Sequence, residues 1–428
     1  MTHHETPRPI KAPFLTTGTR ILLLLTGIGA AFYLYRLIFG IGAATNLDNQ
    51  YPWGIWISID VASGVALAAG GFTTAALAEI FHKEEYHVIV RPALLTAMLG
   101  YTFVVIGLLA DLGRYYNVWH PMLPSMWQGN SVLFEVGMCV MIYLTVLYIE
   151  FLPIAVERFK GKVNWLKPLR WANRPTEWAL RVADATLSRF IFVFIIAGVV
   201  LSCLHQSSLG TLMVIAKGKM HPLWWSPISP LMFLLSAIAV GFPMVMVESI
   251  SASRSFKLHP ERTVLSSLAR YTPILLGVYL GVKIIDLTLR GAWPYAFEGS
   301  ARSFMWWIEI LGGVVTPLIM TSIPKVRQNM NHLFIAALMV VLGVVLNRVN
   351  VLLVAYQPLY PTKIYFPSFM EIGVTIGLAS ALILVYRWVV MNFPVITAAA
   401  EMRLVRRPEE VPTPAHIAVP YRRGEEFQ

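Results

Sequence analysis

The run FIFVFIIAGVVLSCLHQSSLGTLM, residues 190–213, decides the fold class. It carries no acidic or basic charge and exceeds the roughly 20 residues that an α-helix needs to cross the hydrocarbon core of a bilayer. Unpaired backbone groups are not tolerated in hydrocarbon, so the run reads as a helix rather than a strand. Comparable apolar stretches recur at approximately 21–41, 54–81, 93–111, 131–155, 230–250, 267–289, 303–322, 333–352 and 369–391. The chain of 428 residues is 57% hydrophobic and only 13% charged, where about a quarter of a soluble protein is charged. The sequence therefore predicts an all-α integral membrane protein with about ten transmembrane helices. A segment at 1–20 precedes a membrane domain at 21–391. The polar tail at 392–428 carries Pro408, Pro412, Pro414 and Pro420, so its last part is expected to be extended and mobile.

Orientation follows from the basic residues, because Lys and Arg in short loops stay on the cytoplasmic side. With the N-terminus inside, the inner segments hold 24 of the 34 Lys and Arg, the outer loops hold six, and Arg36, Lys283, Arg348 and Arg387 lie within spans. Both termini are thus expected to be cytoplasmic, and the net charge of +11 reads as topology rather than as a nucleic-acid surface. Arg20, the apolar run after it and Gly42-Ala43-Ala44 loosely resemble a cleavable signal peptide, but the run is too long for a signal core.

An ionisable side chain inside a membrane is costly unless paired or wet, so each one is a candidate for function. By helix rise, Asp60, Glu135 and His205 lie roughly 9, 6 and 12 Å from the outer ends of their spans. Asp111, Lys283, Asp286, Glu309, Arg348 and Glu371 also fall in outer portions. Lys283 and Asp286, three apart, are placed to pair with each other, and Arg348 to neutralise Glu309 or Glu371; these five read as structural ion pairs. Asp60, Asp111, Glu135 and His205 have no neighbouring base in sequence. Glu248 stands alone near the inner end of its span, with Tyr101 near mid-membrane. It reads equally as a structural cap or as the mouth of a proton path.

SVLFEVG (131–137), SFMWWIEILGG (303–313) and SFMEIGV (368–374) each open a span with Ser, bulky apolar residues, Glu and soon Gly. Such similarity suggests two four-helix bundles in parallel orientation, at 54–213 and 230–352, plus flanking helices.

Several chemistries are excluded. A transmembrane b-type haem needs two axial ligands, usually histidines on facing helices, and of ten histidines only His205 is well inside a span. The two cysteines, Cys139 and Cys203, cannot hold an iron–sulfur cluster. No metal site, P-loop or dinucleotide fingerprint is present. The outer loops are rich in aromatics: YPWGIW, GRYYNVWHPMLPSMW, HPLWWSP and RGAWPYAF. They suit either an interfacial belt or a docking platform.

PWGIWISIDVASGVALAAGGF, DLGRYYNVWHP, SVLFEVGMCVMIYLTVLYIEF, LSCLHQSSLGTL and KMHPLWWSP together resemble the membrane subunits of hydrogenase-2 type, within the polysulfide reductase NrfD superfamily, over about residues 15–395. The resemblance implies a haem-free subunit of the bacterial cytoplasmic membrane. It would bind quinone, as menaquinone, near the periplasmic face. It would exchange electrons with a periplasmic iron–sulfur protein, itself joined to a further catalytic or cytochrome subunit. Carried onto this chain, Asp111, Glu135 and His205 would be quinone-side groups, and Tyr101 and Glu248 candidates for proton traffic with Glu135. Asp60 and Gln206, with Trp119 and His120 from the aromatic loop, complete the expected quinone site.

Quinone chemistry moves two electrons and two protons. It needs an apolar cleft, hydrogen-bond partners for both carbonyls and acid/base groups. A secondary transporter also combines bundled repeats with midplane ionisable groups, but here those groups lie toward one face. A pure anchor leaves the unpaired acids unexplained. Partner identity and direction of electron flow are not encoded in these residues. The purified chain is expected to show no haem band in a reduced-minus-oxidised spectrum; a stoichiometric b-type band would refute the histidine argument.

Overall fold

The computed structural model describes residues 7–163, 172–361 and 363–397. The first six residues, and the proline-bearing part of the expected tail from 398, lie outside the described residues. Among the described residues ten helices are long and apolar enough to cross a membrane: α1 (Thr17–Phe39), α2 (Trp56–Ile80), α3 (Glu84–Asp111), α4 (Val132–Phe159), α5 (Arg189–Ile215), α6 (Ser229–Phe256), α7 (Arg262–Leu289), α8 (Ala301–Ser322), α9 (Met330–Val354) and α10 (Phe369–Asn392). The chain is a multi-pass integral membrane protein. The spans fall where the apolar runs predicted them, with two extensions. Helix α3 begins at Glu84, well before the apolar run at 93, and α5 belongs to a longer helix, Asn173–Ile215.

Helix starts follow from side-chain caps, which satisfy orphan backbone N–H groups that hydrocarbon cannot hydrate. Thr16, Ser131, Ser300 and Ser368 each accept from a backbone N–H three residues on, and Ser368 forms a reciprocal capping box with Glu371. The three similar Ser/Glu stretches thereby separate. Glu371 is a capping residue, Glu135 reaches across to α5, and Glu309 sits in a π-helical segment, Ile308–Val315. Similar π segments at Trp56–Ser63, Ala76–Ile80 and Asn350–Val354 interrupt α2 and α9. Such bulges re-aim side chains and concentrate at functional sites.

Helices α2 to α5 pack in a ring, α2 on α3, α3 on α4, α4 on α5 and α5 on α2; α6 to α9 form a second ring of the same order. The rings meet where α6 packs on α2 and α5, and α1 pairs with α10 along the α3 side of the first ring. Lipid tails supply no hydrophobic drive between helices, so close backbone approach carries much of the association. At α8/α9 a Cβ on Gly343 would stand 2.4 Å from the Gly313 Cα; at α1/α10 one on Gly29 would stand 2.6 Å from the Gly377 Cα. Gly343→Val is expected to lower the detergent-phase melting temperature, at a cost of about 1–3 kcal/mol typical of overpacking. Gly312→Ala, at a position where nothing lies within 4 Å, is expected to leave it unchanged.

Candidate functional site

Helix α3 contributes polar or small residues at four successive levels, each facing a polar group of another helix. Thr96 lies beside the Glu248 carboxyl of α6. One and a half turns on, the Tyr101 hydroxyl meets His205 Nδ1 of α5 at 3.1 Å. Gly107 then makes room for Asp60 of α2, whose Cβ would stand 2.8 Å from a Cβ at 107. At the helix end Asp111 faces Arg36 of α1, which donates to the carbonyls of Ala110 and Leu112. Tyr101 and Asp111 are separated by roughly 15 Å of helix rise. The predicted groups therefore form a column rather than one clutch.

His205 and Gln206 are fully buried. Gln206 Nε2 donates to the Val65 carbonyl of α2 at 3.0 Å, and the Tyr101 ring packs edge-on against Tyr143 of α4, centroids 4.6 Å apart. His205 Nε2, Gln206 Oε1 and Ser202 Oγ have no hydrogen-bond partner, nor does Asp111 Oδ1. Orphaned polar atoms are rare in native interiors and call for an occupant. Glu135 accepts from Ser208 Oγ at 2.5 Å and Asp60 from Thr375 Oγ1 of α10 at 2.7 Å. Thr375, Tyr143 and Ser208 were not singled out in the sequence, because cross-helix partners leave no local signal. Trp119 and His120 meet edge to face, ring centroids 4.5 Å apart, in the loop between α3 and α4. Trp119 is 46% exposed, and neither ring hydrogen-bonds to the buried column.

Glu248 accepts from Tyr386 of α10 at 2.8 Å, while its second oxygen is unpartnered. It lines a cavity of about 40 Å³ that His259 and Glu261 also line, just past the end of α6. That volume holds about two or three waters.

The second ring has different partners from those the sequence suggested. Lys283 does not pair with Asp286 but reaches Glu309 at 2.8 Å, and Glu309 also accepts from Asn347, Asn350 and Trp224, each at 2.8 Å. Asp286 is taken by Arg290 at 2.7 Å and by Ser226 at 2.6 Å. The acid four residues before the base is the favoured helical order, so Arg290 outcompetes Lys283. Arg348 makes no direct ion pair with Glu309 or Glu371, although Glu309 is close enough to act on its charge. It donates to Asn347 and Ser236 and lies 4.0 Å from the Phe233 ring centroid. Glu371 is held by Ser368 N, Asn46 N and the Tyr365 hydroxyl. Glu309 with four donors is locked. Between the rings, His221 is also buried, and burial, reinforced by Arg302, lowers its pKa below the usual imidazole value and favours the neutral ring.

The family model for polysulphide reductase, NrfD, matches residues 43–360. The chain belongs to the NrfD family. It is 32% identical over 393 residues to the Escherichia coli "Probable Ni/Fe-hydrogenase 2 b-type cytochrome subunit", covering 91% of this chain and 95% of that one. It is 25% identical to the Nitratidesulfovibrio vulgaris "Menaquinone reductase, integral membrane subunit", covering 86% and 89% of the two chains. A further N. vulgaris protein is 37% identical over 92% of this chain and 97% of its own length. NrfD chains are membrane subunits of reductase complexes, which is consistent with quinone-linked electron transfer.

Lys283→Met is expected to leave Glu309 as an uncompensated buried charge and to cost about 3–5 kcal/mol. The double variant Lys283→Met with Glu309→Leu should recover part of that loss. Equal melting temperatures for wild type and Lys283→Met in detergent would show that the pair does not hold the second ring.

Proposed function

We propose that this chain is the quinone-reactive membrane subunit of a respiratory oxidoreductase complex, passing electrons between the quinone pool and a docked iron–sulfur protein. The observation that carries the reading is the set of buried, unpartnered atoms in the first ring: His205 Nε2, Gln206 Oε1 and Ser202 Oγ. His205 Nε2 protonated is a donor for a quinone carbonyl, with Tyr101 holding the other ring nitrogen and so the tautomer. Asp60, Asp111 and Glu135 supply acid/base groups toward the aromatic-loop end, and menaquinone is the substrate favoured by the name of the N. vulgaris relative.

The same column supports proton traffic through Glu248, Tyr101 and Glu135, since Thr96 brings Glu248 alongside the helix that carries Tyr101. The bias of basic residues argues for cytoplasmic termini in a bacterial inner membrane and for a periplasmic aromatic end. Trp119 and His120, set apart from the buried groups, belong in this reading to the docking surface for the iron–sulfur partner and its catalytic or cytochrome subunit. The residues do not fit an axially ligated haem, despite the name of the E. coli relative. An axial histidine binds through Nε2, which is free on His205, but among the described residues no other histidine lies well inside a span to serve as the second axial ligand.

His205→Ala is expected to slow quinone-linked turnover about 100-fold, the lower end for a proton-donating group. Complex assembly and the partner's activity with soluble dyes should persist. Equal loss of both activities would make the histidine structural.

A further inference from the structure

Glu150 is a membrane-embedded acid that the column on α3 does not use. It has no hydrogen-bond or ion-pair partner among the described residues and sits close enough to Tyr143 to interact with it electrostatically. It lies on the same face of α4 as Glu135 and Tyr143, at intervals of eight and seven residues, and Glu157 follows seven further on. Such intervals keep side chains aligned over successive turns. The facing helix α5 answers level by level: Gly198, Ser202, His205 and Ser208 recur at three- or four-residue steps.

The contacts join these faces. A Cβ on Gly198 would stand 2.7 Å from Glu150 Oε1 and 3.6 Å from the Tyr143 ring, so the missing side chain at 198 is what accommodates both. Tyr143 packs on Tyr101, Tyr101 meets His205 Nδ1, and Ser208 closes on Glu135. Ser202 Oγ, fully buried at the same level, lies beside the hydroxyls of Tyr101 and Tyr143 without a close hydrogen bond to either and can complete the chain between them through water. From Glu135 to Glu150 the ladder covers roughly 22 Å of helix rise. Glu157, paired with Arg91 at 2.9 Å and 44% exposed, stands at the surface roughly 10 Å beyond.

We propose that Glu150 is a proton-relay residue that connects the His205 level, through Tyr143, Ser202 and Tyr101, to the membrane face opposite the aromatic loops. It is a second inlet beside Glu248 and rests on the quinone reading above. In the direction of quinone reduction, Glu150 takes one proton from the Glu157 side and hands one on. Each hydroxyl along the ladder receives one proton and releases one, so the relay returns to its starting state. The two protons taken up by each quinone balance the two electrons from the partner.

The test uses the native complex in vesicles containing a pH indicator, with menadiol as donor and a soluble dye taking electrons at the partner. Oxidation releases two protons and two electrons per menadiol, and the relay then runs in reverse. Glu150→Gln is expected to slow menadiol oxidation about 10-fold or more and to diminish the pH change on the face opposite the aromatic loops, and its combination with Glu248→Gln to abolish that change. Glu150→Asp should restore part of both, and the partner's own dye activity should be unchanged. Wild-type turnover and pH change in Glu150→Gln, with no additional loss when it is combined with Glu248→Gln, would overturn the proposal while leaving the quinone site standing. Wild-type menadiol oxidation in His205→Ala would overturn the quinone reading and the relay with it.

Discussion

A polar atom inside hydrocarbon has no water to fall back on, so protein atoms or an occupant must supply its partners. That constraint acts differently on the acids and bases at the two centres. In the second, Glu309 is wrapped by Lys283, Asn347, Asn350 and Trp224, and the indole of Trp224 ties the loop after α5 to the buried pair. A carboxylate so surrounded gains stability by staying charged and still, which suits a support and not a carrier. Unpartnered atoms occur in both rings, Arg348 Nε and Asn350 Oδ1 among those in the second, but in the first His205, Gln206, Ser202 and Asp111 retain theirs around a histidine that has no counter-charge. Stability has been withheld where an incoming group can supply it, as expected of a site that must exchange its occupant.

The π segments belong to the same division. Asp60 and Ser58 lie in one, Glu309 in another, and Asn350 opens a third. An extra residue per turn rotates the following side chains relative to an ideal helix and loosens local backbone pairing. In α2 the result presents Asp60 to Thr375 and Gly107; in α8 and α9 it brings Glu309 and Asn350 together.

The spans were legible because hydrophobic length is a property of single segments. Capping was legible in part, since Ser131 and Ser368 open their helices, but the shared Ser…Glu spelling concealed three different uses of the glutamate. Ion pairing was misread for a definite reason. Lys283 and Asp286 are close in sequence, yet each found a better partner, one on α8 and one a full turn on. The residues of the candidate site were visible as charges out of place, whereas their levels were not, because depth along one helix says nothing about which neighbour faces it. The periodicity of Glu135, Tyr143, Glu150 and Glu157 was present in the sequence, but it acquires meaning only once α5 is known to lie against that face.

The pairing of α1 with α10 has a bearing on how the protein is made. Backbone hydrogen bonding joins Arg8 to Ile396 and Ile10 to Val390, Gly29 packs on Gly377, and Arg387 reaches the carbonyl of Pro13. The first span thus has its chief neighbour in the tenth. Since contacts so distant in sequence form late, α1 waits in the bilayer through the synthesis of the eight spans between. Asp60 waits as well, because Thr375 is on α10, and Trp56 because its indole donates to Glu371. During biogenesis the first ring can close before its polar column is finished, and completion of the column reports that the tenth span has been inserted.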